Sequence, residues 1–130
     1  MKERINVYLN IYKINFLFDN IISLYHTAIE YDGIEYSYGL KGNISGIFEM
    51  TPKNNGIGTF VISFNLGKKT RREFFTKFER ISKIYEKRKY NFFTNNCNHF
   101  TNDYIKYVYH KEIPNKYQSF LKLGEFLRIF

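Results

Sequence analysis

The feature that most constrains this chain is Asp32-Gly33, set between runs of aromatic and β-branched residues. Both central residues of a type I′ turn need positive φ, which Asp tolerates and Gly adopts freely, and the twist of that turn matches the strands it joins. The segment from Tyr25 to Tyr38 therefore reads as a two-stranded hairpin. Counting back from a two-residue turn, Tyr31 faces Ile34, Ile29 faces Tyr36, and His26 falls opposite Gly39 at the open end.

The other elements are read around that hairpin. From Ile5 to Ile14 the apolar residues alternate, with Ile5, Val7, Leu9 and Ile11 on one face, which is the period of a strand. An irregular stretch follows around Asp19 and Asn20. Residues Gly39 to Gly58 hold five glycines and Pro52, so they read mostly as loop, with a short strand at Gly46 to Met50. Thr59 to Asn65 reads as a further strand. Thr70 and Glu73 match a capping box, and Phe74, Phe78, Ile81 and Tyr85 recur at helical spacing, which predicts a helix over Arg71 to Arg88. A second helix is predicted to begin near Cys97, with Asn95 or Asn96 as its N-cap. Phe100, Tyr104, Ile105 and Val108 line one of its faces and Pro114 ends the pattern. The tail from Lys116 to Phe130 has the pattern of a short amphipathic helix.

A chain of 130 residues fits one domain, 1–130, so a single site is expected to carry the function. With 44% hydrophobic residues and two prolines, a disordered or fibrous chain is excluded. No apolar run approaches the roughly 18 to 20 residues that span a bilayer, and the start alternates instead of offering a signal-peptide core. The expected address is intracellular and soluble, cytoplasmic or also nuclear. The formal charge of +8 favours acidic partners. Much of it accompanies an Asn, Lys, Ile, Tyr and Phe bias that runs through the loops too, so nucleic acid is not the expected partner.

The single cysteine, Cys97, rules out an intramolecular disulfide framework and a cysteine zinc cluster. No metal or cofactor is expected, because Cys97 and His99 stand at i and i+2 of a helix and do not converge on one ion with His26. In the first turn of a helix, unpaired N–H groups and the positive dipole end favour a thiolate over a thiol. A thiol nucleophile also wants an imidazole within reach. His99 lies about 200° round the helix from Cys97, and His110 about 20 Å along its axis, which leaves His26 as the partner that tertiary folding could supply. Two readings stand on spacing alone: a nucleophile with a base, or an inert buried cysteine and a strand histidine.

At these residues the sequence resembles a known family, the PPPDE peptidases, which include the desumoylating isopeptidases. Tyr25-His26-Thr27-Ala28 and Glu35-Tyr36-Ser37-Tyr38-Gly39 look like the family's histidine hairpin, and Gly46-Ile47-Phe48-Glu49-Met50-Thr51-Pro52 resembles its next strand. Most specific is the run from Tyr90 to Asn102, with Asn95-Asn96-Cys97-Asn98-His99-Phe100 at its centre and Ile113-Pro114 after it. The resemblance covers a core over about 5–117 and leaves the tail, 118–130, outside it. It implies an α+β protein of circularly permuted papain-like cysteine peptidase fold, a small antiparallel sheet packed with helices.

The resemblance implies a thiol hydrolase that removes ubiquitin or a SUMO-type modifier from lysines, with Cys97 as nucleophile and His26 as general base in a dyad. Asn96 would help at the oxyanion, and Tyr25, Gly39 and Leu40 would border the substrate channel. The family pattern is departed from at Ser23, at Lys13 and at Leu40, where a bulkier side chain narrows a channel meant for a Gly-Gly tail. Two alternatives keep these residues: a thioesterase that removes acyl groups from protein cysteines, and a non-catalytic module that binds the modifier.

Overall fold

The computed structural model describes residues 2–14 and 24–122. The irregular stretch at Asp19 and Asn20, the departure at Ser23 and the tail beyond 122 lie outside the described residues. Five strands, β1 (Arg4–Ile14), β2 (Leu24–Tyr31), β3 (Ile34–Lys41), β4 (Ile44–Met50) and β5 (Thr59–Thr70), form an antiparallel sheet in the order β4-β3-β2-β1-β5. Two helices follow, α1 (Arg71–Glu86) and α2 (Cys97–Tyr109), and then a short 3-10 helix (Asn115–Tyr117). The architecture is α+β, and no helix among the described residues is long and apolar enough to cross a membrane.

The hairpin forms at the expected turn: Asp32 and Gly33 have φ of 52° and 77°, and Tyr31 pairs with Ile34, Ile29 with Tyr36. Its open end differs from the expectation. The β2–β3 pairing covers Ile29 to Tyr31, and His26, beyond it, is in register with Tyr12 of β1. The glycine-rich stretch also departs from the loop expected there. β3 runs on to Lys41, turns at Gly42 (φ 60°) and returns as β4, with Gly39 facing Gly46 across the pair. A Cβ at Gly39 or Gly46 would meet only the Phe48 ring, in ordinary contact at 3.7 and 3.9 Å, whereas one at Gly58 would lie 2.5 Å from the Lys13 carbonyl oxygen. β5 is longer than expected and reaches Thr70, with Gly67 at φ 108° where its register with β1 shifts.

The two faces of the sheet do different work. Val7, Leu9, Ile11, Ile29, Tyr31, Tyr36 and Tyr38 form the buried face, and α1 and α2 cover it with Phe74, Phe78, Tyr85, Phe100 and Tyr104. Tyr31 stacks on Phe74 at 4.2 Å, and Phe74 in turn on Phe78 at 5.2 Å. Thr70 caps α1 with both arms of the capping box to Glu73, and the helix ends at Glu86, two residues before the expected Arg88. The other face carries a polar network. Glu30 and Glu35 oppose each other across β2 and β3, and the Asn10 amide donates to both at 2.9 Å while its oxygen accepts from Ser63 at 2.6 Å. Tyr12 donates its hydroxyl to Glu35 and accepts from the Lys53 N–H at 2.8 Å, which fastens the loop after β4 to the sheet.

Phe74 lies 1% exposed where the rings of β2, α1 and α2 meet. Phe74→Ala is expected to cost about 3–5 kcal/mol of stability, read as a lower urea midpoint, because the cavity left between packed rings cannot collapse.

Candidate active site

Cys97 is the first residue of α2, and it is 2% exposed. Of the two expected N-caps, Asn96 takes the role. Its side-chain oxygen accepts from the N–H groups of Asn98 (3.0 Å) and His99 (3.4 Å), and its own N–H donates to His99 Nδ1 at 3.1 Å. His99 thus completes a capping box and does not face the nucleophile position. Asn95 instead donates to the Tyr38 hydroxyl at 3.0 Å and to the Lys89 carbonyl at 2.9 Å, which shapes the loop that leads into the helix.

α2 begins against the edge of β2, N-terminal to the β2–β3 pairing. The Thr27 N–H points at the Cys97 sulfur, and the Thr27 carbonyl accepts from the Thr101 hydroxyl at 3.3 Å. The Tyr25 carbonyl accepts from the Asn98 amide at 3.2 Å, and the Tyr25 N–H donates to Ser119 at 2.9 Å. Thr27 closes the joint by donating its hydroxyl to the Cys97 carbonyl and accepting from Asn98 at 3.0 Å. Side chains of α2 and the segment after it therefore satisfy peptide groups that a neighbouring strand would otherwise take. Residue 26, between these two anchors, is brought to the same corner as residue 97.

His26 is 8% exposed, its ring 5.8 Å from that of Tyr12, and its Nε2 has no hydrogen-bond partner among the described residues. Burial disfavours the imidazolium and pushes its pKa from 6.5 down to about 4. At Cys97 two effects compete. Burial pushes the thiol up to about 11, whereas the N–H groups of Thr27, Asn98 and Cys97 and the Asn98 amide, 3.8 Å from the sulfur, favour the thiolate. Burial wins. The thiolate expected from the helix N-terminus is therefore not the resting form, and both groups rest neutral.

The remaining sequence candidates are placed as follows. The Asn96 amide is spent on the carbonyls of Phe92 (2.9 Å) and Phe120 (2.7 Å), so in the resting structure it positions the helix start and has no donor left for an oxyanion. The Tyr25 ring packs edge-on against Tyr117 at 5.0 Å. Gly39 lies in the β3–β4 pair under Phe48, and Leu40 is 53% exposed beside Ser45, whose hydroxyl accepts the Tyr90 N–H at 2.9 Å. His110 ends α2 at φ 55° and is exposed. Sequence reasoning passed over Asn98. Asn98 is fully buried, leans on the sulfur and accepts the Phe120 N–H at 3.0 Å. A polar residue on the buried side of a predicted first turn was its one signal.

A buried strand histidine with a free Nε2 and a cysteine that opens a helix docked on the same strand are residue types that acyl-transfer chemistry uses. Residues 5–128 match the PPPDE putative peptidase domain. The chain is also 32% identical over 127 residues to a DeSI-like protein of Arabidopsis thaliana; the match takes in 92% of this chain and 57% of that protein. This chain belongs to the PPPDE peptidase family.

Two measurements probe the electrostatics. Between pH 6.5 and about 4 the unfolded chain binds a proton that folded His26 refuses, so this residue's stabilising contribution is intact above 6.5 and is lost as pH falls toward 4. The urea midpoint is expected to drop across that window, and less steeply in His26→Asn. For the thiol, the rate of iodoacetamide alkylation is expected to keep climbing past pH 9 and to level near 11. A plateau near 8.5 would show a solvated, unperturbed thiol.

Proposed function

We propose that this chain is a cysteine isopeptidase that removes ubiquitin or a SUMO-type modifier from lysines. The observation that supports it most is the joint at Thr27, which sets the N-terminal cysteine of α2 against the strand residue next to a buried histidine with a free Nε2. Cys97 attacks the carbonyl of the modifier's C-terminal glycine. Because both groups rest neutral, the thiol proton moves to His26 as the sulfur–carbon bond forms, not before. His26 returns that proton to the departing lysine amine, which leaves an acyl-thioester. Water then attacks, with His26 as base, and releases the modifier and the free thiol. The +8 charge suits acidic modifiers.

One observation favours a second reading, a non-catalytic module: the thiol is 2% exposed and held well above its usual range. Intact mass spectrometry with ubiquitin and SUMO probes that carry C-terminal electrophiles separates the two. A single adduct is expected, absent in Cys97→Ala and slowed about 100-fold or more in His26→Ala. Modifier binding without an adduct would favour the module, and labelling only by an acyl-thioester probe would move the assignment to a thioesterase.

A further inference from the structure

Residues 118–122 form a single helical turn, with the Lys122 N–H donating to the Gln118 carbonyl at 3.1 Å, and pack against the start of α2. The Phe120 ring lies in a small apolar cluster with Leu24 and Cys97, flanked by Ile14 and Phe92, and meets Phe92 edge-on at 5.4 Å. Its peptide groups are held more specifically. The Phe120 N–H donates to Asn98 Oδ1 at 3.0 Å, and the Phe120 carbonyl accepts from the Asn96 amide at 2.7 Å. Those two side chains stand immediately before and after Cys97. A residue gripped through its own N–H and C=O by fixed polar groups is a residue recognised as backbone, which is how extended peptides are bound whatever their side chains.

We propose that Asn96 and Asn98 form a subsite for the backbone of the substrate's peptide tail, that Phe120 occupies it in the resting chain, and that residues 119–122 are an autoinhibitory strap over Cys97. The assignment rests on the reading of Cys97 as nucleophile. With the strap seated, Cys97 is 2% exposed and the Asn96 amide is spent on Phe92 and Phe120. With the strap lifted, the Asn96 amide loses its bond to the Phe120 carbonyl and the Asn98 oxygen loses its donor. An N–H and a C=O of the substrate's tail then replace those of Phe120. The resting site is incomplete in a second respect: the buried Nε2 of His26 has no hydrogen-bond partner among the described residues, and an opened corner admits one.

The chain just before the strap is anchored elsewhere. Tyr117 belongs to the main core and packs against Tyr25, and Gln118 donates its amide to the Ile113 carbonyl. The hinge therefore falls between Gln118 and Ser119. Beyond it the strap is held by the two bonds of the Phe120 peptide, by the Ser119 hydroxyl accepting the Tyr25 N–H at 2.9 Å, and by the Phe120 ring. That ring packs in the small cluster and not in the core between the sheet and the helices. A short segment with few apolar contacts opens at a lower free energy than the whole fold, so the strap can lift while the sheet and α2 stay in place.

The test reads backbone hydrogen exchange by NMR and iodoacetamide alkylation of Cys97 by intact mass, on wild type and Phe120→Ala. Ile29, paired with Leu9 and Tyr36 in the middle of the sheet, reports global unfolding. In wild type the N–H at position 120 and the thiol are expected to report one opening equilibrium, within about threefold of each other and about 100-fold more populated than the opening at Ile29. Phe120→Ala, which removes the ring and keeps the peptide, is expected to raise both about tenfold while exchange at Ile29 stays within about threefold. Glycylglycinal then probes the subsite. Its aldehyde adds to the thiol: the sulfur–carbon bond forms, and the carbonyl π pair moves onto oxygen, which takes the thiol proton. In that adduct the N–H at position 120 is expected to lose its protection. Exchange at position 120 only together with Ile29 makes the segment a fixed wall and overturns the strap. Alkylation that outruns exchange at position 120 overturns it too, by showing another path to the sulfur. Protection that persists in the adduct overturns the subsite and leaves the peptidase reading standing. A thiol that alkylates but takes no aldehyde overturns the reading of Cys97 as nucleophile, and the subsite with it.

Discussion

The structure depends on one joint: the start of α2 docked against the peptide groups of Tyr25 and Thr27. A strand with an open edge is a liability, since its N–H and C=O groups must find partners or be hydrated. Here Asn98, Thr101 and Ser119 supply those partners. The same bonds set the start of α2, with Cys97, at the corner of the strand that carries His26. Asn98 carries most of this load, bridging Tyr25, Thr27 and Phe120 from within the buried first turn. Its loss would leave peptide groups unpaired where α2 docks on β2.

Burial at that joint has a chemical cost. A thiol at a helix N-terminus, ringed by N–H groups, would ionise readily if it were wet. At 2% exposure the desolvation of the thiolate is the larger effect, and the same holds for the imidazolium of His26. In the function proposed here, a resting pair of neutral groups needs its negative charge stabilised as it develops, which places the demand on fixed dipoles around the carbonyl oxygen.

On the far face of the sheet, Tyr12 connects His26 to a second constraint. Its ring is 5.8 Å from the imidazole, and its hydroxyl bonds Glu35, the Lys53 N–H and the Asn55 amide. The loop after β4 is thereby fastened over the side of the sheet that carries His26. The carboxyl of Glu35 is 1% exposed and held above the usual carboxylate range by burial, against the pull of Tyr12, Asn10 and Asn55. Such a network tolerates a buried acid because each of its oxygens has a donor.

By itself the sequence determined the local elements that have short-range causes. Asp32-Gly33 set a turn, alternation over Ile5 to Ile14 set β1, Thr70 and Glu73 set the start of α1, and Asn96 with its neighbours set the start of α2. Helix geometry also told His99 apart from a partner of Cys97, because the angle between i and i+2 is fixed by the backbone. Only the tertiary structure decided the rest. Facing glycines in β3 and β4 read as loop until a partner strand was present. The early end of the β2–β3 pairing, the commitment of Asn96 and the neutral resting state all depend on contacts between distant segments. They depend as well on how much water those contacts exclude, and neither quantity is written in spacing along the chain.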